Sequence, residues 1–597
     1  MYHPLVTRFL LTLALVSVPA TAQAQWLDLP GGTQPHALDS ATPLAPAADC
    51  ITCHGRGDSD PASAYMPADT WLGSMMGNAV RDPLYQAALT VAEQDHAGIG
   101  DFCLRCHTPN AFIAGRTRAD ATAGFGRTPP LLDSDGDGVT CDSCHRMTDH
   151  APGGNGQYVY SPDDTRFGPY DDSVSMRHAS AQSTYTADSR LCGTCHALTN
   201  PLVMRVIDGT PTTSPMPLDT TYDEWAASAF ARAGSADARS CQDCHMPHNA
   251  DDGFVTTTGG TLRTTPRRHD FVGANVWGIH LVRDTRNDPA VTPYYDLAAA
   301  RAQTMLESAS RLTIMQAPMT ARAGDTVQVV ARLENLSGHK LPTGYADGRR
   351  IWLEVALVDA AGTEQVISGR YDATTAVLDE TDTQLRVYEA VHGRAGVAEE
   401  HLALHDSVVR DTRIPPREMM SSEAIAPVGR DYGGGANGTL RNDDVANYSI
   451  TIPASASGTV TLRVRALYQS TTRAYIEFLE HENHTDDRGT RLRTAWEASG
   501  RAAPLAMATA TSTIAIDTAP ADASTDASTD AAVDGIGGDV ASDSTGANEM
   551  TAPPAGCGCR TVSTESHRSG ATTAFLALLL GLATRRVQRR KRTHPLA

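Results

Sequence analysis

The chain has 597 residues, 41% hydrophobic and 20% charged, a globular balance that excludes both wholesale disorder and a polytopic membrane protein. Its 49 basic and 69 acidic side chains leave a formal net charge of -20, which argues against nucleic-acid binding, since that wants a basic patch. Between residues 25 and 556 the imbalance is steeper, with 40 basic and 68 acidic side chains.

Residues 1–24 read as a secretory signal peptide. Arg8 marks a short basic region, 9–18 are apolar, and Ala22-Gln23-Ala24 puts small residues at an A-x-A site. The apolar run is shorter than the roughly 20 residues a membrane span needs. Export is therefore expected.

Ten of the twelve cysteines fall in five copies of C-x-x-C-H. They are Cys50-Ile51-Thr52-Cys53-His54, Cys103-Leu104-Arg105-Cys106-His107, Cys141-Asp142-Ser143-Cys144-His145, Cys192-Gly193-Thr194-Cys195-His196 and Cys241-Gln242-Asp243-Cys244-His245. This spacing suits c-type haem attachment: two thiols add to the vinyl groups of one haem, and the adjacent His ligates its iron. A zinc site would not demand a His after each pair. Disulfides, although permitted in an exported chain, do not explain the repeated His. Five covalent haems are expected, with His54, His107, His145, His196 and His245 as proximal ligands. Haem would also replace much of the side-chain core, since aromatic residues are only 6% of the chain.

The sixth ligand separates a closed, electron-transferring haem from one open to substrate. Distal candidates are His96, His150, His178, His248, His269, His280 and His339, of which His96, His178, His269, His280 and His339 form the leading set. Met75, Met76 and Met176 are alternatives. Asp133, Asp135 and Asp137 alternate around Gly136 and are compatible with a calcium loop before the third motif, although Cys144 stands where an EF-hand wants Glu.

The run Cys241-Gln242-Asp243-Cys244-His245-Met246-Pro247 after Tyr222-Asp223-Glu224-Trp225, His178 upstream of the fourth motif, Gly138-Val139-Thr140-Cys141, and His269-Asp270-Phe271-Val272-Gly273 together resemble the multihaem cytochrome superfamily. That superfamily includes hydroxylamine oxidoreductases, pentahaem nitrite reductases and tetrahaem carriers. The resemblance covers about residues 45–285 and implies that such upstream or downstream histidines ligate neighbouring haems stacked as a chain. It departs from two enzyme patterns. Pentahaem nitrite reductases usually carry one C-x-x-C-K motif, whereas all five motifs here end in His, and the hydroxylamine oxidoreductase pattern needs eight haems.

Residues 297–306 are Ala-rich and predict a connecting helix within 284–310. Period-two alternation in 326–333, 351–358, 448–452 and 460–467 predicts strands with one buried face, and several of them suggest a β-sandwich. Gly338-His339-Lys340-Leu341-Pro342-Thr343-Gly344-Tyr345 resembles a motif in the β-rich part of other multihaem cytochromes, which implies that His339 reaches a haem of the first domain. His481-Glu482-Asn483-His484 lacks zinc-protease spacing and reads as a surface loop.

Residues 517–550 carry acids and no basic residue, the composition of an extended linker. Cys557 and Cys559, an apolar stretch over 571–584 and a basic cluster over 585–592 resemble the C-terminal sorting tag of myxobacterial surface proteins, implying association with a membrane or the cell surface.

The expected architecture is α+β and multidomain. A haem-packed, short-helix and loop-rich domain (25–283) leads through a connecting helix (284–310) to a β-sandwich domain (311–516), followed by a linker (517–556) and a sorting or anchor segment (557–597). The expected function is electron transfer through five mostly bis-His haems, in the periplasm or at the cell surface, to a redox partner with a basic face. The alternative is a multihaem reductase or oxidase of a small nitrogen or sulfur compound, with one open haem. A third reading makes the haems a mere core and the β-sandwich a binding module.

Overall fold

Strand Arg350–Val358 (RIWLEVALV) is buried at every position but its last, so it reads as a central strand covered on both faces. The computed structural model describes residues 31–55, 64–117, 131–150, 153–345 and 347–517, and in it 351–358 departs from the expected single buried face because sheet and loops cover both sides. The expected signal peptide, the acidic stretch from 518 onward, Cys557, Cys559 and the apolar and basic C-terminal segments lie outside the described residues.

Arg350–Val358 pairs antiparallel with Gly458–Gln469 on one side and with Arg386–Arg394 and Glu364–Ser368 on the other. Gly458–Gln469 continues the sheet to Leu505–Asp517, which in turn pairs parallel with Thr320–Arg322. A second sheet orders Asp443–Thr451, Thr326–Asn335 and Ser310–Gln316, all antiparallel. Val329, Ala331, Leu333, Tyr448 and Ile450 of this sheet share one apolar core with Ile351, Leu353, Val355, Leu462 and Val464 of the first. On its opposite face Trp352 packs with Leu378 and Leu467.

The strand expected over 448–452 begins at Asp443. Its start lacks the apolar alternation because Asp444, an acid, occupies an inward position. Asp444 is only 3% exposed, and accepts hydrogen bonds from Arg386 (2.6 and 2.7 Å) and Tyr388 (2.9 Å). The single connecting helix is two helices, Val276–Arg286 and Thr292–Ser308. The first ends on Asn287 in the left-handed region, and Pro293 starts the second. Helices Arg473–His481 and Arg488–Ala498 also interrupt the β-rich region. Their Leu479, Leu492 and Trp496 pack on Ala87 and Val91 of helix Pro83–Asp95, so the cysteine-rich and β-rich parts share an apolar cluster.

In the cysteine-rich part the helices are short, and a long hairpin, Leu198–Ile207 with Thr210–Asp219, separates the fourth and fifth motifs. The hairpin hydrogen-bonds to the β-rich part: Val206 N–H donates to Asp406 O (2.6 Å), and Asn200 Nδ2 donates to Ala403 O (3.1 Å) and His405 O (3.2 Å).

Leu462 is fully buried between the sheets, whereas Val397 is 70% exposed. Leu462→Ala is expected to lower unfolding free energy by about 2–5 kcal/mol, and Val397→Ala to change it by under about 0.5 kcal/mol, both read by urea denaturation.

Candidate functional site

Every C-x-x-C-H motif closes a short helix that ends on its His: Ala47–His54, Ile99–His107, Cys141–His145, Ser189–His196 and Cys241–His245. Local caps start these turns. Ser240 Oγ accepts from Asp243 N–H (3.2 Å) while the Asp243 carboxylate accepts from Ser240 N–H (2.8 Å), a reciprocal box directly before Cys241. Thr140 and Asp188 cap the third and fourth motifs similarly, with Asp188 accepting from Arg190 N–H at 2.8 Å. In one helical turn residues i, i+3 and i+4 share a face, so both thiols and the imidazole of each motif point the same way. Gly193, inside the fourth motif, lets the Tyr222 ring lie against the helix; a Cβ there would sit 2.5 Å from that ring.

All ten motif cysteines and all five motif histidines line one continuous cavity of about 2240 Å³. Thiols of different motifs meet across it: Cys50 with Cys141, Cys106 with Cys195, and Cys192 with Cys241. Cys144 of the third motif lies near Cys192 and Cys195. The fourth motif therefore adjoins the second, third and fifth, and the third adjoins the first.

The tautomer of each motif histidine is set by the chain. Nδ1 donates to a backbone carbonyl in four of them: His54 to Val255 O (2.7 Å), His107 to Ala79 O (2.9 Å), His145 to Phe167 O (2.7 Å) and His245 to Val272 O (2.5 Å). In the fifth, His196 Nδ1 stands 3.5 Å from the Asp219 carboxylate. A carbonyl only accepts, so these Nδ1 atoms carry the proton and Nε2 keeps its lone pair. Burial pushes His107 and His245 down to about 4 and lowers His54, which keeps these rings neutral, as metal ligation requires. His196 differs: burial lowers it, but the Asp219 contact outweighs burial and raises it.

Four of the distal candidates line the same cavity: His178, His248, His269 and His339. His269 faces His145 with ring centroids 6.0 Å apart and planes 23° from parallel. His339 faces His245 at 6.2 Å and 18°. Two imidazoles bound in line on one metal, each by a bond of about 2 Å with half a ring beyond it, stand about this far apart. His178 lies close enough to His54 to lower its pKa, after burial and the nearby His145. His178, His248 and His339 each place Nδ1 on a backbone carbonyl, at 3.1, 2.5 and 3.1 Å. The residues thus fit haem c: paired thiols, motif imidazoles whose Nδ1 is tied back so that Nε2 is free, and two facing ring pairs at ligand spacing.

His96, His150 and His280 do not line the cavity. His96 caps helix Pro83–Asp95, His150 stacks on Tyr185, and His280 sits half-buried on Val276–Arg286 near Arg283. Met75, Met76 and Met176 do line it, Met176 largely exposed. The calcium expectation for Asp133, Asp135 and Asp137 does not fit the geometry. Asp135 accepts from Arg116 (2.9 and 2.5 Å) and Leu132 N–H (2.8 Å), and Asp137 pairs with Arg81 (3.2 Å). Guanidinium groups already compensate two of the three carboxylates, and Ca²⁺ needs six to eight converging oxygens.

Sequence reasoning missed the group that holds the His339 loop. Glu224 accepts from Lys340 N–H (3.0 Å) and Thr343 Oγ (2.8 Å), and pairs with Arg413 at 3.1 Å. Arg413 and the Lys340 ammonium both pair with Asp411, at 2.7 and 2.6 Å, and Lys340 is fully buried. Asn335 Nδ2 donates to His339 O at 2.7 Å. The one signal in the sequence was Lys340 itself, the sole lysine before the C-terminal cluster of an otherwise Arg-based chain.

No family model and no curated protein matches the chain. The solved structures that match include the following two. A penta-haem cytochrome c552 from Thermochromatium tepidum aligns at TM-score 0.46 and 16% identity, over 79% of this chain and 99% of that one. An alkylpurine DNA glycosylase from Pseudomonas fluorescens, bound to DNA with an abasic-site analogue, aligns at TM-score 0.12 and 9% identity, over 32% and 41%. Both likenesses are too low to carry an argument, so the function rests on the site itself.

Removing Asp411 would strand two buried cations. Asp411→Ala is expected to cost about 3–5 kcal/mol in denaturant unfolding. Asp487→Ala, which breaks only the exposed Arg491–Asp487 pair, is expected to cost under about 1 kcal/mol.

Proposed function

We propose that this chain is an exported pentahaem c-type cytochrome that transfers electrons. One observation carries the reading: in all five C-x-x-C-H motifs, two thiols line a common cavity beside an imidazole whose Nδ1 is tied to an acceptor of the chain. When bound, haem c supplies one-electron chemistry between ferric and ferrous iron. Cys50, Cys53, Cys103, Cys106, Cys141, Cys144, Cys192, Cys195, Cys241 and Cys244 hold the groups, and His54, His107, His145, His196 and His245 are the proximal ligands. His269 and His339, whose rings face His145 and His245, would supply further iron ligands there, and His178 would do so near the first motif.

The thiol contacts support one connected relay with the fourth motif as its junction. Asp219 beside His196 would make that imidazole a stronger donor to a bound iron, which would favour the ferric state at the junction. The acidic body favours a redox partner with a basic docking face and an association weakened by salt. Residues 1–24 support export, and the segment from Cys557 supports attachment at the cell surface. No helix among the described residues is long and apolar enough to cross a membrane.

A second reading rests on His107. The Tyr85 ring lies flat on it at 3.6 Å, and among the described ring contacts no imidazole faces it, as none faces His54 or His196. That favours an iron open to a small nitrogen or sulfur compound.

Electron paramagnetic resonance of the oxidised holoprotein, with haem quantified alongside, separates the readings. The carrier reading expects five haems, all low-spin. A stoichiometric high-spin signal that responds to nitrite or hydroxylamine would replace it with the enzyme reading. His269→Ala and His339→Ala are each expected to turn one low-spin haem high-spin at unchanged haem content; a low-spin spectrum in either would remove that residue from the ligand set.

A further inference from the structure

Asp347, His392 and His405 come together inside the β-rich part, away from the cysteine motifs. They are the one cluster of three or more His, Cys, Asp or Glu among the described residues whose ligand atoms converge, all within 4.8 Å of one another. Asp347 follows the His339 loop, His392 lies on strand Arg386–Arg394, and His405 sits just before strand Ser407–Asp411, which pairs with His392's strand. Their exposures are 7%, 5% and 0%.

Asp347 Oδ2, His392 Nδ1 and His405 Nδ1 are each buried without a hydrogen-bond partner. His392 Nδ1 is 3.3 Å and His405 Nδ1 3.6 Å from Asp347 Oδ2. Both exceed the usual 2.7–3.2 Å of an N–H···O bond. Four donors about 2.0–2.2 Å from a zinc ion stand about 3.3–3.6 Å apart along the edges of the tetrahedron, which matches both separations.

The surrounding contacts fix the atoms that would ligate. His405 Nε2 donates to Glu399 O at 2.9 Å, so the neutral ring carries its proton there and turns a bare Nδ1 lone pair towards the carboxylate. A lone pair facing an anion in a buried site repels it unless a cation stands between them. Asp347 Oδ1 accepts His392 N–H at 3.2 Å, which leaves Oδ2 for the shared point. Such outer bonds to ligating His and carboxylate groups are the usual support of a metal centre. Asn200 of the hairpin holds the His405 carbonyl from the cysteine-rich side.

We infer that Asp347, His392 and His405 form a mononuclear site for a divalent transition-metal ion, separate from the haem ligands. Two imidazoles and one carboxylate suit zinc, and three protein ligands leave a fourth position for water. The ion would fasten together the end of the His339 loop, strand Arg386–Arg394 and the segment before Ser407. The inference does not depend on the haem reading, since none of its three residues lines the haem cavity.

The test uses the full purified holoprotein, stripped with chelator, re-equilibrated with zinc sulfate and counted by elemental mass spectrometry. Zinc also avoids confusion with haem iron. The wild type is expected to hold about one zinc per chain more than Asp347→Ala and His392→Ala, with haem content and circular dichroism unchanged in the variants. His401→Ala, a neighbour whose ring instead pairs with Asp95, is expected to keep the ion. Equal zinc in the wild type and both variants overturns the site. Should the variants fail to fold, melting of the stripped wild type decides: zinc is expected to raise its melting temperature by several degrees, and no shift overturns the site.

Discussion

In all five motifs an acceptor of the chain engages the His Nδ1, and four of those acceptors are backbone carbonyls far from the motif in sequence. This constraint connects the local turn to the fold. A helical turn by itself aligns two thiols and an imidazole, but leaves the ring free to rotate and to exchange tautomers. The carbonyls of Val255, Ala79, Phe167 and Val272 remove both freedoms. They explain why the loops between the motifs, poor in regular structure, still follow defined paths: each must return a backbone oxygen to an imidazole.

The same economy appears where the β-rich part meets the cysteine-rich part. His339 belongs to a loop of the former yet faces His245 of the latter. Its placement rests on Glu224, Arg413, Asp411 and Lys340, a buried group of two acids and two bases. Such a group adds little net stability over apolar residues of the same size, because desolvation offsets attraction. Its contribution is geometric: charges that tolerate no other partner hold the loop in one register against the helix that precedes the fifth motif. The helices Arg473–His481 and Arg488–Ala498 then bury apolar surface on Pro83–Asp95 and supply stability that the ion group does not.

Asp347 extends this arrangement. It lies a few residues past His339, and its neighbour His405 has its carbonyl held by Asn200 of the hairpin between the fourth and fifth motifs. The loop carrying His339 is thereby held by the ion pairs at Glu224, and Asp347 just beyond it accepts the His392 backbone N–H.

The motifs were legible because each is complete within five consecutive residues, and the steric logic of one turn needs nothing from elsewhere. The strands over 326–333, 351–358 and 460–467 were legible for a similar reason, since alternation is local. The strand start at Asp443 was hidden by an inward Asp444, whose partners Arg386 and Tyr388 come from another sheet. Of the distal candidates the sequence put His96, His178, His269, His280 and His339 ahead of His150 and His248, but could not say which ring each would meet. An imidazole meets its partner ring through chain reversal, and no spacing encodes that. The metal-type cluster of Asp347, His392 and His405 left no trace at all, because its residues come from three separate segments. The sequence by itself determined the five attachment turns and the sheet-forming alternation, both interactions among near neighbours. Only the tertiary structure decided which histidines face each other, which carbonyl orients each ring and where buried charges converge, because those depend on contacts between residues the chain brings together from far apart.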